Sequence, residues 1–335
     1  MRRVIAIVVV LALIAGGAYY ILHDNSAAEE ICYDDYIESP AAVSAEGSLE
    51  IVTLSGVTYI HAVDVGTGSV EFSDGSVEIY SVKKSQLDVY LLMGQSNAAY
   101  THYDASSSTV TLPGTAYFYG TTQPLHTLNY HAYKEICTVK SMNAPDGTQT
   151  VGNIEAPLAA SLYESIGNKV LIVNGGVSGV KINTFTPGNI NFLRASEVFC
   201  DAMERIDRTL YDPTVRSYIW IQGESDALTP VETYKTLFLE IHEDLTGSGV
   251  GLFSPYDFDA GFISLIVGTN SSQAQIALTV DPEDNLILGA TSAPTFSIEN
   301  GLLKNDGVHY SQLGDNLIGS ELGTSIYQFY KEVKI

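Results

Sequence analysis

The pattern that most constrains the fold is an alternation of short apolar runs with longer amphipathic stretches from residue 89 onward. The apolar runs cover residues 89–93, 169–174, 218–221 and 262–267. The stretches with helical spacing cover residues 156–166, 192–210, 231–245 and 311–333. Nearly continuous apolar runs of this length are typical of parallel strands that are buried on both faces. The alternation therefore predicts an α/β domain with a central parallel sheet and helices on both faces.

The N-terminal residues differ from the rest of the chain. Arg2 and Arg3 are followed by residues 4–22, which carry no charge. Such a run is just long enough to cross a bilayer, which takes about 20 apolar residues. The arginines should stay cytoplasmic, so we expect a membrane helix within residues 1–25 and the remainder outside the cytoplasm. Secretion after signal cleavage is the alternative, but Tyr19 and Tyr20 stand where a cleavage site needs small residues.

Two further segments precede the α/β region. Residues 26–46 are polar and rich in Ala, Ser and Glu, which predicts a stalk. Residues 47–85 contain several β-rich runs, and the pair Asp74-Gly75 between two of them indicates a hairpin. We therefore predict a small antiparallel sheet of about four strands, which serves either as a spacer or as a glycan-binding module. These boundaries place the α/β domain at residues 86–335.

The acidity of the chain excludes some classes of partner. The chain holds 16 Lys and Arg against 39 Asp and Glu, which gives a net charge of −23. Such a surface repels phosphate backbones, so nucleic acid is not an expected partner. The cysteines, Cys32, Cys137 and Cys200, show no metal-ligand spacing. A disulfide between Cys137 and Cys200 and a fully reduced set are both compatible with the sequence.

A polar segment rich in tyrosine, residues 98–149, interrupts the strand–helix alternation. Long loops in compact domains usually act as lids or binding loops. The tyrosines of this segment either stack on sugar rings or pack among themselves over an edge of the sheet. The sequence leaves both interpretations open.

Polar residues follow two of the predicted strands and recur near the C-terminus. Ser96 comes at a strand-to-loop turn after Gly94, and Gln222 ends a strand before a Gly-Glu-Ser-Asp sequence. Asp306 precedes His309 at a spacing that lets the carboxylate reach Nδ1 of the ring and leave Nε2 as a base. Because ligands of open α/β sheets bind at the carboxyl ends of the strands, these motifs together predict a Ser/His/Asp site for acyl transfer.

The motifs resemble the sequence blocks of the sialate O-acetylesterase and acetylxylan esterase family, a branch of the SGNH hydrolases. The chain shows DVYLLMGQSN at 88–97, SGVKINTFTPG at 178–188, WIQGESD at 220–226 and DGVH at 306–309. These blocks stand in the order that the family has. The resemblance implies an SGNH-hydrolase-like three-layer sandwich. It also implies a serine esterase that removes O-acetyl groups from carbohydrates through an acetyl-serine intermediate, with no metal and no organic cofactor.

The resemblance also implies roles for individual residues. Ser96 matches the nucleophile, His309 the general base and Asp306 the residue that orients His309. The backbone N–H groups of Ser96 and Gly179 match two donors of the oxyanion hole. For the third donor we predict the side-chain amide of Gln222, because an amide N–H is the kind of donor that an oxyanion needs. Supporting roles are expected for Gln95, Asn97 and Glu224.

The chain departs from the family pattern at several positions, none of which belongs to the triad. The departures are Ala98, Ser178, Lys181, Phe185 and Ile221. We expect these replacements to change the shape of the pocket and hence the substrate.

Two other functions compete with the esterase. One is a cell-surface glycan-binding or adhesive protein that keeps the esterase fold with little activity. The other is an SGNH lipase or thioesterase. The complete set of Ser96, His309 and Asp306 argues against the first, and the lack of a long apolar stretch near the motifs argues against the second. The sequence specifies neither which acetylated sugar is bound nor the oligomeric state.

Overall fold

The computed structural model describes residues 12–14, 17–19, 28–101, 109, 111–124, 131–138, 153–247, 251–267, 269–280 and 285–333. The chain divides into two compact units. One unit comprises Met1–Tyr33 and Ile37–Lys83, and the other comprises Asp34–Tyr36 and Lys84–Ile335.

Within the predicted membrane segment, the structure describes two short antiparallel strands, β1 (Ala12–Ile14) and β2 (Gly17–Tyr19). The other residues of the segment 1–25 lie outside the described part of the chain. Among the residues that are described, no helix combines the length and the hydrophobicity needed to span a bilayer. The membrane helix therefore stays a prediction.

The next strands form two small sheets. They are β3 (Glu29–Cys32), β4 (Tyr36–Glu38), β5 (Ala42–Gly47), β6 (Leu49–Leu54), β7 (Val57–Ala62), β8 (Gly66–Phe72) and β9 (Val77–Lys83). One sheet has the order β3-β9-β8-β5 and the other the order β4-β7-β6. Buried side chains of Ile31, Leu49, Ile60, Val70 and Val82 form one core cluster. The hairpin predicted at Asp74-Gly75 joins β8 to β9, with Gly75 at φ 82°.

Two features of this region differ from the sequence-based expectation. Much of the segment 26–46, expected as a stalk, is instead ordered in β3, β4 and β5. In addition, the expected single antiparallel sheet is replaced by two sheets, and β3 runs parallel to β9. The partners of β3 and β5 are β9 and β8, which lie far along the chain. The polar composition of residues 26–46 therefore did not reveal the pairing.

The second unit is built on a parallel sheet. Its strands are β10 (Ser85–Gly94), β11 (Tyr100–Thr101), β12 (Ala116–Pro124), β13 (His131–Thr138), β14 (Lys169–Asn174), β15 (Tyr211–Ile221), β16 (Gly261–Ser264) and β17 (Leu286–Ala290). Six of them run parallel in the order β12-β14-β10-β15-β16-β17. The strands β11 and β13 both pair with β12, β13 in antiparallel fashion.

Helices cover both faces of this sheet. They are α1 (Ser96–Ala99), α2 (Glu155–Ile166), α3 (Ile190–Arg205), α4 (Val231–Thr246), α5 (Asn270–Leu278) and α6 (Gln312–Val333). Alternate residues of β10 enter two different cores: Leu91 packs in the cluster with α3 and α4, and Leu92 packs in the cluster with α2 and α6. The prediction of a parallel sheet between two helical layers is therefore confirmed.

The order of the strands places a reversal at β10. From β10 the chain builds one side of the sheet with β12 and β14, and then crosses to build the other side with β15, β16 and β17. In open α/β sheets, ligands bind at the carboxyl ends of the strands where the order reverses. The residues that follow Gly94 therefore occupy the expected ligand position.

The segment 98–149 contains more regular structure than the sequence indicated. The strand β12 extends the parallel sheet, and Tyr117 and Tyr119 on it are buried in the core with α3. These two tyrosines are therefore core residues, a position that neither interpretation of the segment predicted. The side chains of Tyr100, Tyr103, Tyr130 and Tyr133 lie outside the described part of the chain.

Candidate active site

A sharp turn after β10 presents the predicted nucleophile. Gly94 has a φ of 144°, and a Cβ built there would lie 2.0 Å from the carbonyl oxygen of Ile221. Only glycine fits a positive φ combined with such a close approach of two strands. The N–H of Gln95 donates to that same carbonyl at 2.9 Å, and Ser96 then begins α1. Ser96 therefore lies at the carboxyl edge of the sheet, directly after the end of β10.

Two backbone donors are predicted for the oxyanion hole. Among the described residues, neither the N–H of Ser96 nor that of Gly179 has a hydrogen-bond acceptor. Gly179 is exposed, has a φ of 71°, and has open space where a Cβ would lie. The loop that carries it is joined to the nucleophile turn, because the N–H of Val177 donates to the carbonyl of Gly94 at 2.9 Å.

The predicted base and its partner form a local pair. Nδ1 of His309 lies 2.7 Å from Oδ2 of Asp306, and Oδ1 of Asp306 accepts the backbone N–H groups of Val308 and His309 at 3.0 and 2.9 Å. Gly307, at φ 70°, allows the tight turn between them. Desolvation raises the pKa of Asp306, but the hydrogen bonds from His309 and from the backbone outweigh it and lower that pKa to about 2. The ionised carboxylate therefore holds a proton on Nδ1 and leaves Nε2 as the basic nitrogen.

Asn97 connects the nucleophile turn to the histidine loop. Its Oδ1 accepts the backbone N–H of Tyr310 at 3.0 Å, and its Nδ2 donates to the carbonyl of Val308 at 3.3 Å. These two partners flank His309 in the chain. The neighbour of Ser96 is thus bonded to both neighbours of His309, and the two catalytic candidates belong to one rigidly connected region.

Glu224 completes this connection. Its Oε1 accepts a hydrogen bond from Nδ2 of Asn97 at 2.6 Å. Burial raises the pKa of the Glu224 carboxyl to about 7, while the hydrogen bonds from the backbone and from Asn97 partly oppose that shift. Oε2 of Glu224 and the hydroxyl of Tyr310 are buried without a hydrogen-bond partner in the described part of the chain. Glu224 therefore acts on the orientation of the Asn97 amide.

Gln222 lies in a different environment from the one predicted. It is fully buried, and its Nε2 donates to Oδ2 of Asp226 at 2.5 Å, with the carbonyl of Val180 at 3.3 Å and Oε1 of Gln95 at 3.4 Å. Its Oε1 accepts the hydroxyl of Tyr234 at 2.9 Å. Because these partners already occupy the amide protons, the geometry does not favour the oxyanion role that we predicted for Gln222.

Gln222 and Asp226 instead join three of the sequence blocks. Oδ2 of Asp226 also accepts the backbone N–H of Ile182 at 2.8 Å, and Oε1 of Gln95 accepts the N–H of Ser225 at 3.1 Å. Sequence reasoning missed the contribution of Asp226, although this residue closes the WIQGESD block. The available signal was a second acidic residue, four positions after Gln222, in a block that directly follows a predicted strand.

Three of the departures from the family pattern do not line an open pocket. Phe185 and Ile221 are completely buried, and Ala98 is nearly so. The ring of Phe185 packs edge-on against Trp220 with centroids 5.3 Å apart. These three replacements therefore affect packing beneath the site. The other two departures differ, because Lys181 is exposed and Ser178 is partly exposed.

Within the described residues, no group of three or more His, Cys, Asp or Glu side chains is arranged to hold a metal ion. Cys200 is a free thiol, while the side chain of Cys137 lies outside the described part of the chain.

Comparison with known proteins supports the resemblance found in the sequence. The model of the family described as carbohydrate esterase, sialic acid-specific acetylesterase, matches residues 86–251. The predicted resemblance is confirmed over these residues. The matched residues include Ser96, Gly179 and Gln222, whereas Asp306 and His309 lie beyond them. No curated protein sequence matches the chain.

Several solved structures are similar to the chain at low sequence identity. A protein from Arabidopsis thaliana is 15% identical with a TM-score of 0.48, covering 72% of this chain and 98% of its own. A carbohydrate acetylesterase from Xanthomonas citri is 15% identical with a TM-score of 0.44, covering 89% and 72%. A lipase/acylhydrolase from Enterococcus faecalis is 13% identical with a TM-score of 0.37, covering 72% and 96%.

Proposed function

We propose that the chain hydrolyses O-acetyl esters of carbohydrates with Ser96 as nucleophile, His309 as general base and Asp306 as its orienting carboxylate. The observation that carries the proposal is the pair of hydrogen bonds between the Asn97 side chain and the residues on either side of His309, one accepted from Tyr310 and one donated to Val308. These bonds tie the Ser96 turn to the base loop across the carboxyl edge of the sheet. The family match supports the reaction class, and the contacts of Asn97 and Asp306 support the roles.

In the first half-reaction, Nε2 of His309 takes the proton of the Ser96 hydroxyl while Oγ attacks the acetyl carbonyl carbon. A serine hydroxyl is a weak nucleophile at neutral pH and needs such a base. The tetrahedral intermediate collapses when the sugar oxygen leaves with the proton from His309. The products are the free sugar hydroxyl and an acetyl-serine.

Negative charge develops on the former carbonyl oxygen in this step. We assign to it the N–H groups of Ser96 and Gly179, which have no acceptor among the described residues. Gln222 is assigned a positioning role instead, because its amide protons have other acceptors. Loss of one preorganised donor typically costs a factor of about 100 to 1,000 in rate, so the placement of Gly179 matters for catalysis.

In the second half-reaction, water replaces the sugar. His309 takes a proton from the water, the hydroxide attacks the acetyl carbon, and Ser96 leaves with the proton returned by His309. Acetate is the product. Ionised Asp306 stabilises the positive charge that His309 carries in both half-reactions.

The location of the protein is a separate part of the proposal. We propose that residues 4–22 anchor the chain in a membrane with the esterase outside the cytoplasm. Expression of the full chain followed by membrane extraction and external protease treatment tests this. Recovery of the full-length chain in the soluble fraction would contradict the anchor.

The decisive experiment is hydrolysis of p-nitrophenyl acetate and of a panel of acetylated sugars by the full chain and its Ser96→Ala variant. We expect hydrolysis by the unchanged protein and loss of the activity in the variant, with an unchanged melting temperature. A folded protein that hydrolyses no acetyl ester would contradict the proposal. The panel also ranks the sugars, which the sequence does not specify.

A further inference from the structure

A second buried asparagine lies on the other side of the nucleophile helix. Asn174 is the last residue of β14 and is completely buried. Its Nδ2 donates to the carbonyl of Ala98 in α1 at 2.8 Å, and its Oδ1 accepts the backbone N–H of Gly176 at 2.8 Å. One side chain therefore bonds both to the helix that begins with Ser96 and to the loop that leads to Gly179.

A buried carboxyl group fixes the orientation of this amide. Oε1 of Glu155, in the first turn of α2, accepts the second proton of Nδ2 of Asn174 at 2.6 Å. Glu155 is 1% exposed, and burial raises its pKa to about 8, against the opposing effect of the bond from Asn174. With two acceptors facing Nδ2 and one N–H facing Oδ1, the amide of Asn174 has one favourable orientation.

The loop approaches the helix closely at this point. A Cβ built on Gly176 would lie 2.9 Å from Oδ1 of Asn174 and 3.2 Å from Cβ of Ala99. The next links along the loop are the N–H groups of Gly175 and Val177, which donate to the carbonyls of Leu92 and Gly94 at 2.8 and 2.9 Å. The loop before Gly179 is therefore held against both β10 and α1.

We propose that Asn174 and Glu155 are positioning residues that set the distance between the two oxyanion donors, the N–H groups of Ser96 and Gly179. This inference rests on the proposed function, because it assumes that these groups bind the developing oxyanion. Asn174 touches no substrate atom in this role. It joins the chain segments that carry the two donors, and Glu155 prevents its amide from turning.

The variants that test the proposal distinguish misplacement of the oxyanion donors from a general loss of folding stability. Asn174→Ala removes the bonds to Ala98 and Gly176, and Glu155→Ala removes the acceptor that orients the amide. Glu155→Gln keeps an oxygen that accepts from Asn174, so it is the conservative rescue. Gly176→Ala adds a Cβ close to Oδ1 of Asn174 and Cβ of Ala99, so it displaces the loop while leaving the Asn174 side chain unchanged. Tyr330→Phe is the matched control, because it deletes a buried hydrogen bond to Ser217, at 2.6 Å, that involves none of these residues.

The measurement is the ratio of kcat/KM for p-nitrophenyl acetate to kcat/KM for the corresponding thionoester, in which sulfur replaces the carbonyl oxygen. Sulfur is larger and accepts hydrogen bonds poorly, so the ratio reports how well the oxyanion donors are placed. Partial unfolding lowers both rates equally and leaves the ratio unchanged. Kinetics of the unchanged protein and of Ser96→Ala establish first that hydrolysis depends on Ser96.

We expect the ratio to fall by about tenfold or more in Asn174→Ala, Glu155→Ala and Gly176→Ala, in line with the size of oxyanion-donor effects. Glu155→Gln and Tyr330→Phe should keep the ratio of the unchanged protein. Equal losses on both esters in Asn174→Ala and Gly176→Ala would overturn the inference and leave the proposed function intact. Absence of Ser96-dependent hydrolysis in the unchanged protein would instead remove the proposed function itself.

Discussion

The side-chain oxygen of Asn97 accepts the backbone N–H of Tyr310 at 3.0 Å, across 213 positions of the sequence. This bond joins the residue after the proposed nucleophile to the residue after the proposed base. Nδ2 of the same side chain binds the carbonyl of Val308, so Asn97 holds both neighbours of His309. One buried amide therefore joins the turn that carries Ser96 to the loop that carries His309.

Replacement of Asn97 by alanine should damage catalysis more than binding. We expect kcat to fall by about 10- to 100-fold with KM nearly unchanged, because small misplacements of a catalytic group are costly. Steady-state kinetics on p-nitrophenyl acetate measure this. The control is Asn168→Ala, which removes a hydrogen bond to Asp88 near the amino end of β10, whereas Ser96 follows the carboxyl end of that strand. An equal loss of kcat in both variants would contradict the role of Asn97.

Asp306→Asn should leave a folded protein with weak residual activity. The asparagine keeps an oxygen near Nδ1 of His309 but cannot carry the negative charge that stabilises the protonated ring. We expect kcat to fall by about a thousandfold or more, with the melting temperature nearly unchanged because the carboxylate is half-exposed. Activity close to that of the unchanged protein would exclude Asp306 from the proposed triad.

Gly94→Ala should destabilise the domain strongly. At φ 144° and with a new Cβ 2.0 Å from the carbonyl oxygen of Ile221, the strand end must move. We expect a loss of at least about 3 kcal/mol in the free energy of unfolding. Gly188→Ala is the matched control, since Gly188 also has a positive φ, 82°, but has open space around it. That variant should lose only about 1 kcal/mol. Denaturant titration of both variants provides the comparison, and similar losses would contradict it.

Glu224→Gln should change how stability depends on pH. The unfolded chain loses the Glu224 proton near pH 4.5 and the folded protein near pH 7, because burial raises the folded pKa. Between these values the folded state binds more protons, so the free energy of unfolding falls as the pH rises.

The glutamine variant lacks this loss, because its amide does not ionise. We therefore expect the difference in unfolding free energy between the variant and the unchanged protein to shift in favour of the variant by about 3 kcal/mol from pH 4.5 to pH 8. Glu155 contributes a slope of the same sign in both proteins, and it cancels from the difference. Urea titrations at the two pH values measure the shift, and a constant difference would show that folding does not raise the pKa of Glu224.

The sequence predicted those elements whose signal is local. The run 169–174 became β14 with the same bounds, and the helical spacing over 231–245 became α4, Val231–Thr246. The pair of Asp306 and His309 was also predictable, because a carboxylate three residues before a histidine reaches its ring within one turn. In each case, the sequence pattern that reveals the element lies within the element itself.

Other elements had no clear local signal. The strand β12 is interrupted by Gly120 and lies among polar residues, and β3 and β5 lie in a segment whose composition indicated a stalk. These strands form because distant strands supply their hydrogen bonds, so composition within the segment did not reveal them.

The sequence alone determined the layered α/β architecture, the turn that presents Ser96, and the identity of the triad candidates, because periodicity and close spacing encode them. Only the tertiary structure decided which acceptors each buried amide meets. Gln222 was a plausible oxyanion donor by residue type, but Asp226 and Val180 occupy its protons, and Asn174 proved to join α1 to the loop before Gly179. A buried amide binds the partners that folding places around it, and those partners come from segments that only the packed sheet brings together.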